Sequence, residues 1–183
     1  MRRDELAFKL DLKVRDTFAR LRAIALSHYW PGLEVDRNVR IYAGVRISCA
    51  PQGRIELRGT RLLPGVSLEV SEGAVIDIGR SIIGRSVVIS ARAAIRIGDG
   101  TGIADMSTVR DHDHKWSAAT GSDRTSWECS PIKIGNSAWL GAKSTVTRGV
   151  EIGDGAVVGA GGIVTKSILP YSVNVGVPAR KIK

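Results

Sequence analysis

Histidine, cysteine and aromatic residues are all scarce in this chain: three His, two Cys, and only 5% Phe, Trp and Tyr together. The cysteines, Cys49 and Cys129, stand alone, with no CxxC pair and no zinc-finger spacing. That excludes a disulfide framework and a Cys-rich metal module, and it fits a reducing compartment. No apolar run approaches the roughly 20 residues a membrane-spanning helix needs. The opening stretch MRRDELAFKL has no unbroken apolar segment and no cleavage site. No secretory signal is therefore expected, and the cytoplasm is the expected compartment. Zinc-finger and RRM signatures are missing as well, so nucleic acid is not an expected partner.

Acidic residues are outnumbered, 18 Asp and Glu against 27 Lys and Arg, for a formal net charge of +9. The excess is spread along the chain rather than gathered in one tail. A basic surface draws anions. A nucleotide-bearing co-substrate or an anionic membrane face suits this charge better than DNA, and general solubility explains it equally well. Within residues 1–30, positions 4–27 read as a helix. Leu6, Leu10, Val14, Phe18, Leu21 and Ala25 line one face at helical spacing, with Lys9, Lys13, Arg15, Arg20 and Arg22 on the other. Such a helix can lie on the inner face of a membrane. Packing against the end of a β-helix or against a neighbouring subunit is the more expected role.

What the chain does have is a repeat. From residue 134 it reads IGNSAW LGAKST VTRGVE IGDGAV VGAGGI VTKSIL. The first residue of each block is aliphatic: Ile134, Leu140, Val146, Ile152, Val158 and Val164. The fifth is Ala138, Ser144, Val150, Ala156 and Gly162, small or β-branched, and then Ile168. Helices need apolar residues three and four apart, and half-buried strands alternate. A period of six does neither. It suits one short strand and one corner, three of which close a triangular coil that must stack on others to bury its inner face. Ile97, Ile103 and Val109 keep the period, as do Ile83, Ile89 and Ile95, two residues out of phase; Val35, Ile41 and Ile47 form a weaker set. Between about residues 50 and 78 no phase can be assigned. Roughly six coils are expected over residues 31–183, with a tail from 170.

One segment breaks the period. Residues 110–131, RDHDHKWSAATGSDRTSWECSP, hold two Trp, three Asp and no Ile, Leu or Val. It reads as an unstructured loop thrown out at a corner, and long loops in compact domains are usually functional. His112 and His114 lie in it, and histidine is the residue type that takes and releases a proton near neutral pH. A histidine acting as a general base needs its other ring nitrogen held, here by Asp111, Asp113 or a backbone carbonyl. Cys129 is a thiol near the segment's end, but WECSP offers it no basic activation as a nucleophile.

The hexads, the DHDH segment and the ending VNVGVPARKIK resemble the left-handed β-helix hexapeptide acyltransferases, in particular the maltose, galactoside and polysaccharide O-acetyltransferases. The resemblance covers about residues 35–183. It implies a left-handed parallel β-helix, which with the N-terminal α-helix and extruded loop read above makes the expected fold all-β. It implies a homotrimer with acetyl-CoA in the cleft between neighbouring β-helices, and a sugar or glycan acceptor. The base it implies is His112, with His114 the other candidate and Asp111 in support. For the co-substrate it implies Trp139 beside the pantetheine channel and the backbone at Ala142 and Ala160. Thr165 and Lys166 would lie near adenine and phosphates, and Arg180, with Lys183 alongside, near the 3′-phosphoadenosine. Packing across a subunit interface is the alternative for Trp139, and a solvated basic tail the alternative for Arg180 and Lys183. Pro178 would set the turn there. The sugar-scavenging members carry a longer N-terminal acceptor-binding segment that this chain does not show, and RDHDHKW looks closer to the polysaccharide-modifying branch.

The expected activity is therefore acetyl-CoA-dependent O-acetylation of a sugar hydroxyl in surface polysaccharide or glycolipid assembly. Three alternatives stand beside it: N-acetylation of an amino sugar, a non-catalytic β-helix scaffold, and a zinc-dependent carbonic anhydrase type. The last needs three converging histidines, whereas His28 lies apart in the N-terminal segment. No metal is expected, because a thioester is already activated.

Overall fold

The computed structural model describes residues 3–183, with side chains from residue 8 onward, so the side chain of Leu6 lies outside the described residues. A helix, α1 (Arg3–Tyr29), precedes a chain that visits three sheets in strict rotation. Face 1 begins at Leu33–Val35, face 2 at Arg40–Ile41 and face 3 at Arg46–Cys49, and the next strand, Arg54–Leu57, returns to face 1. Faces 1 and 3 hold six strands each and face 2 holds eight. Apart from the final strand of face 2, Arg180–Lys181, these pairings are parallel. The expected parallel β-helix with an N-terminal helix is the architecture found.

Aliphatic residues in register make each face. On face 2, Ile41, Leu62, Ile83, Ile103, Leu140 and Val158 stack coil upon coil. Face 3 stacks Leu68, Ile89, Val109, Val146 and Val164. Face 1 stacks Ile55, Ile76, Ile95 and Ile132. All of these are buried. Each such side chain stabilises by about 1.5–3 kcal/mol on leaving water, but only once a neighbouring coil covers it.

Corner positions follow the hexad too. Ala138, Ser144, Val150, Ala156, Gly162 and Ile168 are all buried. The glycine in second position is set by stacking: a Cβ on Gly141 would sit 2.5 Å from the Ala160 nitrogen in the next coil. The fourth position turns the chain with positive φ, 73° at Gly149. Buried hydroxyls tie the corners together. Thr101 Oγ1 donates to the Gly135 carbonyl at 2.7 Å and accepts from the Ala138 amide at 3.1 Å. Among the described residues no buried side-chain nitrogen or oxygen lacks a partner.

Coil length explains the stretch whose phase the sequence hides. Thr145 pairs with Ile163, eighteen residues on, whereas Arg54 pairs with Val75, twenty-one residues on. The longer coils have four-residue strands on face 1 that each bury two side chains, Ile55 with Leu57 and Ile76 with Ile78. The two-residue offset has the same origin, since Ile95 and Ile97 both point inward from Ala94–Ile97.

Helix α1 departs from expectation. Ala19 and Ala23 are its buried residues, with Leu26 and Trp30 packed on the core. Leu10, Val14, Phe18 and Leu21, the expected packing face, are exposed, Phe18 by 61%. Polar contacts fix the docking. Arg22 donates to the Ile41 carbonyl at 3.0 Å, and Asp16 accepts from Arg40 at 3.0 Å and from the Tyr42 hydroxyl. Small alanines let α1 approach the coils closely enough for these bonds, which a larger apolar face would prevent. Among the described residues no helix is long and apolar enough to cross a membrane.

Burial pushes the Asp16 carboxyl up, but the Tyr42 hydroxyl and the Arg40 and Arg61 guanidiniums outweigh it and hold its pKa below the ordinary value. A depressed folded pKa adds stability above the unfolded pKa of about 3.9, lost as pH falls through the folded value. Hydrogen-exchange protection across residues 16–24, corrected for the intrinsic exchange rate at each pH, should therefore be full at neutral pH and fall below about pH 4. Asp16→Asn should abolish that dependence, and an Asp16→Asn profile identical to the unsubstituted protein would refute the anchor.

Candidate active site

The coil is interrupted at the corner between faces 3 and 1, after Thr108–Arg110. Val109 still pairs with Val146, thirty-seven residues on, and the Ser130 amide donates to the Asp111 carbonyl at 2.9 Å. The detour thus leaves and returns at one point. The expected unstructured loop is instead an antiparallel hairpin, His112–Ser117 with Gly121–Cys129. Most of its side chains are exposed or half-buried, so no alternation of apolar and polar residues marks its strands in the sequence. Its register sets His112 opposite Cys129, Asp113 opposite Glu128 and His114 opposite Trp127.

Asp111 is 0% exposed and His112 is 3% exposed. The Asp111 carboxylate accepts from the Arg92 and Ala93 amides, both at 2.8 Å. Elsewhere the coils use the same device: Asp99 accepts from the Arg80 amide at 2.8 Å and Asp105 from the Arg85 amide at 2.7 Å. Asp111 differs in also binding His112 Nδ1 at 3.0 Å. A carboxylate only accepts, so Nδ1 carries a proton, and the neutral form of the ring has its lone pair on Nε2. Asp113 plays a different part. It and Glu128 face each other across the hairpin, an unfavourable pairing of like charges. Arg148 binds both, with Nε 2.9 Å from Asp113, and so ties the hairpin to the coil beneath.

Trp127 organises the outer part of the site. His114 lies 3.8 Å from it, centroid to centroid, and His112 meets it edge-on at 5.1 Å. The Arg92 guanidinium lies 3.7 Å from the ring centroid. His114 is exposed, and no hydrogen bond holds its ring among the described residues. His112, Trp127 and Arg92 border a groove of about 870 Å³ over face 3, lined also by Arg46, Glu69 and Arg110.

The residues implied for the co-substrate do not gather in this groove. Trp139 stands on the outer side of face 2, 55% exposed, over Gly102. It borders a second groove of about 1070 Å³. Ala142 and Ala160 lie at the corner between faces 2 and 3. Thr165 and Lys166 follow Ile163–Val164 on the hairpin's corner, two coils beyond it. Arg180, in the last strand of face 2, and Lys183, just after it, are exposed, and the Lys183 carbonyl accepts from the Val173 amide at 3.0 Å. In a triangular coil the corner between faces 3 and 1 is opposite face 2, so His112 and Trp139 sit on opposite sides of one chain. Sequence reasoning missed Arg92, Trp127 and Arg148. Hairpin register joins Trp127 to the histidines and coil stacking brings Arg92 and Arg148 there, although Trp127, one of four Trp, stood inside the break. Among the described residues no group of three or more His, Cys, Asp and Glu is placed to hold a metal ion.

Comparison with known proteins places the chain. Residues 131–166 match the family described as the hexapeptide repeat of succinyl-transferase. The chain is 34% identical over 160 residues to WbbJ of Escherichia coli strain K12, which carries the name of a lipopolysaccharide biosynthesis O-acetyl transferase; the match covers 80% of each. The chain belongs to the hexapeptide-repeat acyltransferase family. Another relative, a Mycobacterium tuberculosis protein named as an acetyltransferase, is 32% identical over 143 residues, 76% of this chain and 48% of that one. The chain thus spans about half that relative's length. Its fold is similar to that of AntD, an N-acyltransferase from Bacillus cereus solved with dTDP-4-amino-4,6-dideoxyglucose and coenzyme A, with TM-score 0.72, 24% identity and 82% of each chain covered.

Asp111→Asn sets an amide NH2 against a backbone N–H in a buried site, and should cost about 1–3 kcal/mol in chemical denaturation. Arg148→Ala should speed hydrogen exchange in both hairpin strands without altering exchange in the face 2 strands. Uniform acceleration through the coils would contradict the tie.

Proposed function

We propose that the protein is an acetyl-CoA-dependent O-acetyltransferase acting on a sugar hydroxyl in surface polysaccharide or glycolipid assembly. The observation that carries this reading is the buried His112–Asp111 pair at the edge of a polar groove. The name of WbbJ, matched over most of both chains, supports the substrate class. Acetyl-CoA supplies an acyl group already activated as a thioester. His112 Nε2 takes the acceptor hydroxyl's proton as the oxygen attacks the thioester carbon, then gives it to the departing sulfur. Asp111 is a positioning residue that holds the tautomer and stabilises the imidazolium. His114, exposed and stacked on Trp127, borders the acceptor.

We infer further that the working unit is a homotrimer. Trp139 and His112 can share one site only when the hairpin corner of one chain meets face 2 of another, a heterologous contact that closes a ring. In that arrangement Trp139, Ala142 and Ala160 line the pantetheine, and Thr165, Lys166, Arg180 and Lys183 meet its charged end.

His112→Ala should lower turnover a hundredfold or more, the usual scale of general base loss, with acetyl-CoA binding retained; His114→Ala should cost less. Unchanged turnover in His112→Ala would overturn the assignment. AntD keeps the N-acyl alternative in the test: labelled acetyl transferred to paired hydroxy and amino sugars gives a base-labile ester in the first case and a base-stable amide in the second. Sedimentation should give three times the chain mass.

A further inference from the structure

The groove beside His112 is more positive than the rest of the surface requires. Three arginines line it, Arg46, Arg92 and Arg110, against one carboxylate, Glu69. The groove on face 2 differs. There Arg40 and Arg61 reach Asp16, Arg58 reaches Glu56 and Asp77, and Arg80, without an ion pair among the described residues, shares the groove with the carboxylates of Asp36, Asp99 and Asp105. Among the described residues no ion pair neutralises Arg46, Arg92 or Arg110. Arg92 spends its guanidinium on the Trp127 ring, which leaves its charge uncancelled. Glu69 accepts from Ser67 at 3.2 Å.

Register orders these groups along face 3. Ser48, Glu69, Ser90 and Arg110 form one outward row that ends beside Asp111 and His112. Arg46 begins the neighbouring row, opposite Ser67. Strands lie about 4.8 Å apart, so the three steps from the strand of Arg46 to that of Arg110 span roughly 14 Å. A hydroxyl-rich floor of Ser48, Ser67 and Ser90 lies between.

We propose that this groove binds the phosphate-bearing part of the acceptor: a sugar joined to a phosphate or diphosphate, with its hydroxyl at His112. The inference rests on the acetyl-transfer reading above. Three guanidiniums against one carboxylate leave an excess of two positive charges, which matches a phosphate dianion or a diphosphate better than a single carboxylate. Guanidinium forks suit phosphate oxygens, and the serine floor suits sugar hydroxyls. The length accommodates an extended glycosyl diphosphate, whether its far end is a nucleoside or a lipid.

The test measures binding of glucose 1-phosphate, UDP-glucose and a polyprenyl diphosphate glucose in micelles, with glucose and glucuronate as controls. Calorimetry is run with CoA at saturation, so that the co-substrate site takes none of the phosphate probes. At least one phosphate-bearing probe should bind tenfold or more tighter than both controls, and which one identifies the far end. Arg46→Ala and Arg110→Ala should each weaken it tenfold, about 1.4 kcal/mol per site, with CoA binding unchanged. Equal binding of glucuronate, no binding of any phosphate probe, or unaltered binding in both variants overturns the proposal. So does a loss of assembly mass in Arg46→Glu without loss of probe affinity, which would mean that the arginines face another copy. Failure to bind CoA sinks the acetyl-transfer reading instead, and is read separately.

Discussion

In-register stacking of one coil on the next is the constraint on which everything else here rests. Each strand makes its backbone hydrogen bonds to the coils above and below, so the inward positions are aliphatic coil after coil, until Asn174 takes the face 2 position in the last coil. Ile83, Ile103 and Leu140 satisfy this on face 2 despite the thirty-seven residues between the last two. The same stacking demands glycine where corners touch, hydroxyls where corner carbonyls are buried, and Asp or Asn where an amide of the coil above points down. Function borrows from that list. Asp111 does for Arg92 and Ala93 what Asp99 does for Arg80, and its remaining capacity orients an imidazole.

Legibility in the sequence tracked coil length. Residues 134–168 announced themselves because their coils hold eighteen residues, three equal hexads. Residues 50–78 did not, because longer strands on face 1 bury two side chains where the hexad expects one. The helix misled for a related reason. Its apolar stripe is real, but Ala19 and Ala23 make the contact, since close approach to the coil end matters more there than apolar area. The stripe of Leu10, Val14, Phe18 and Leu21 faces outward.

At the site, the histidines stood out as polar residues in an aliphatic repeat, with Asp111 expected in support, but the physical reason that it is Asp111 and not Asp113 came only with the fold. Asp113 has a carboxylate opposite it and an arginine between; Asp111 has two amides and a ring nitrogen. Nothing in the order of residues separates those fates. Trp127 and Arg148 were equally hidden, because each acts across the hairpin or between coils.

The hairpin's point of attachment has a consequence for how such a protein changes. Asp111 and Ser130 are bonded to each other where the detour begins and ends, so the coil runs on as if nothing had been inserted. Scaffold and chemistry are thereby uncoupled. Residues between 112 and 129 can be lengthened, shortened or rewritten with little strain passed to the stack, and the stack can gain coils without moving the imidazole from its corner. Under the acceptor groove proposed above, a new acceptor would require editing only the hairpin and the outward rows of face 3, a small fraction of the chain.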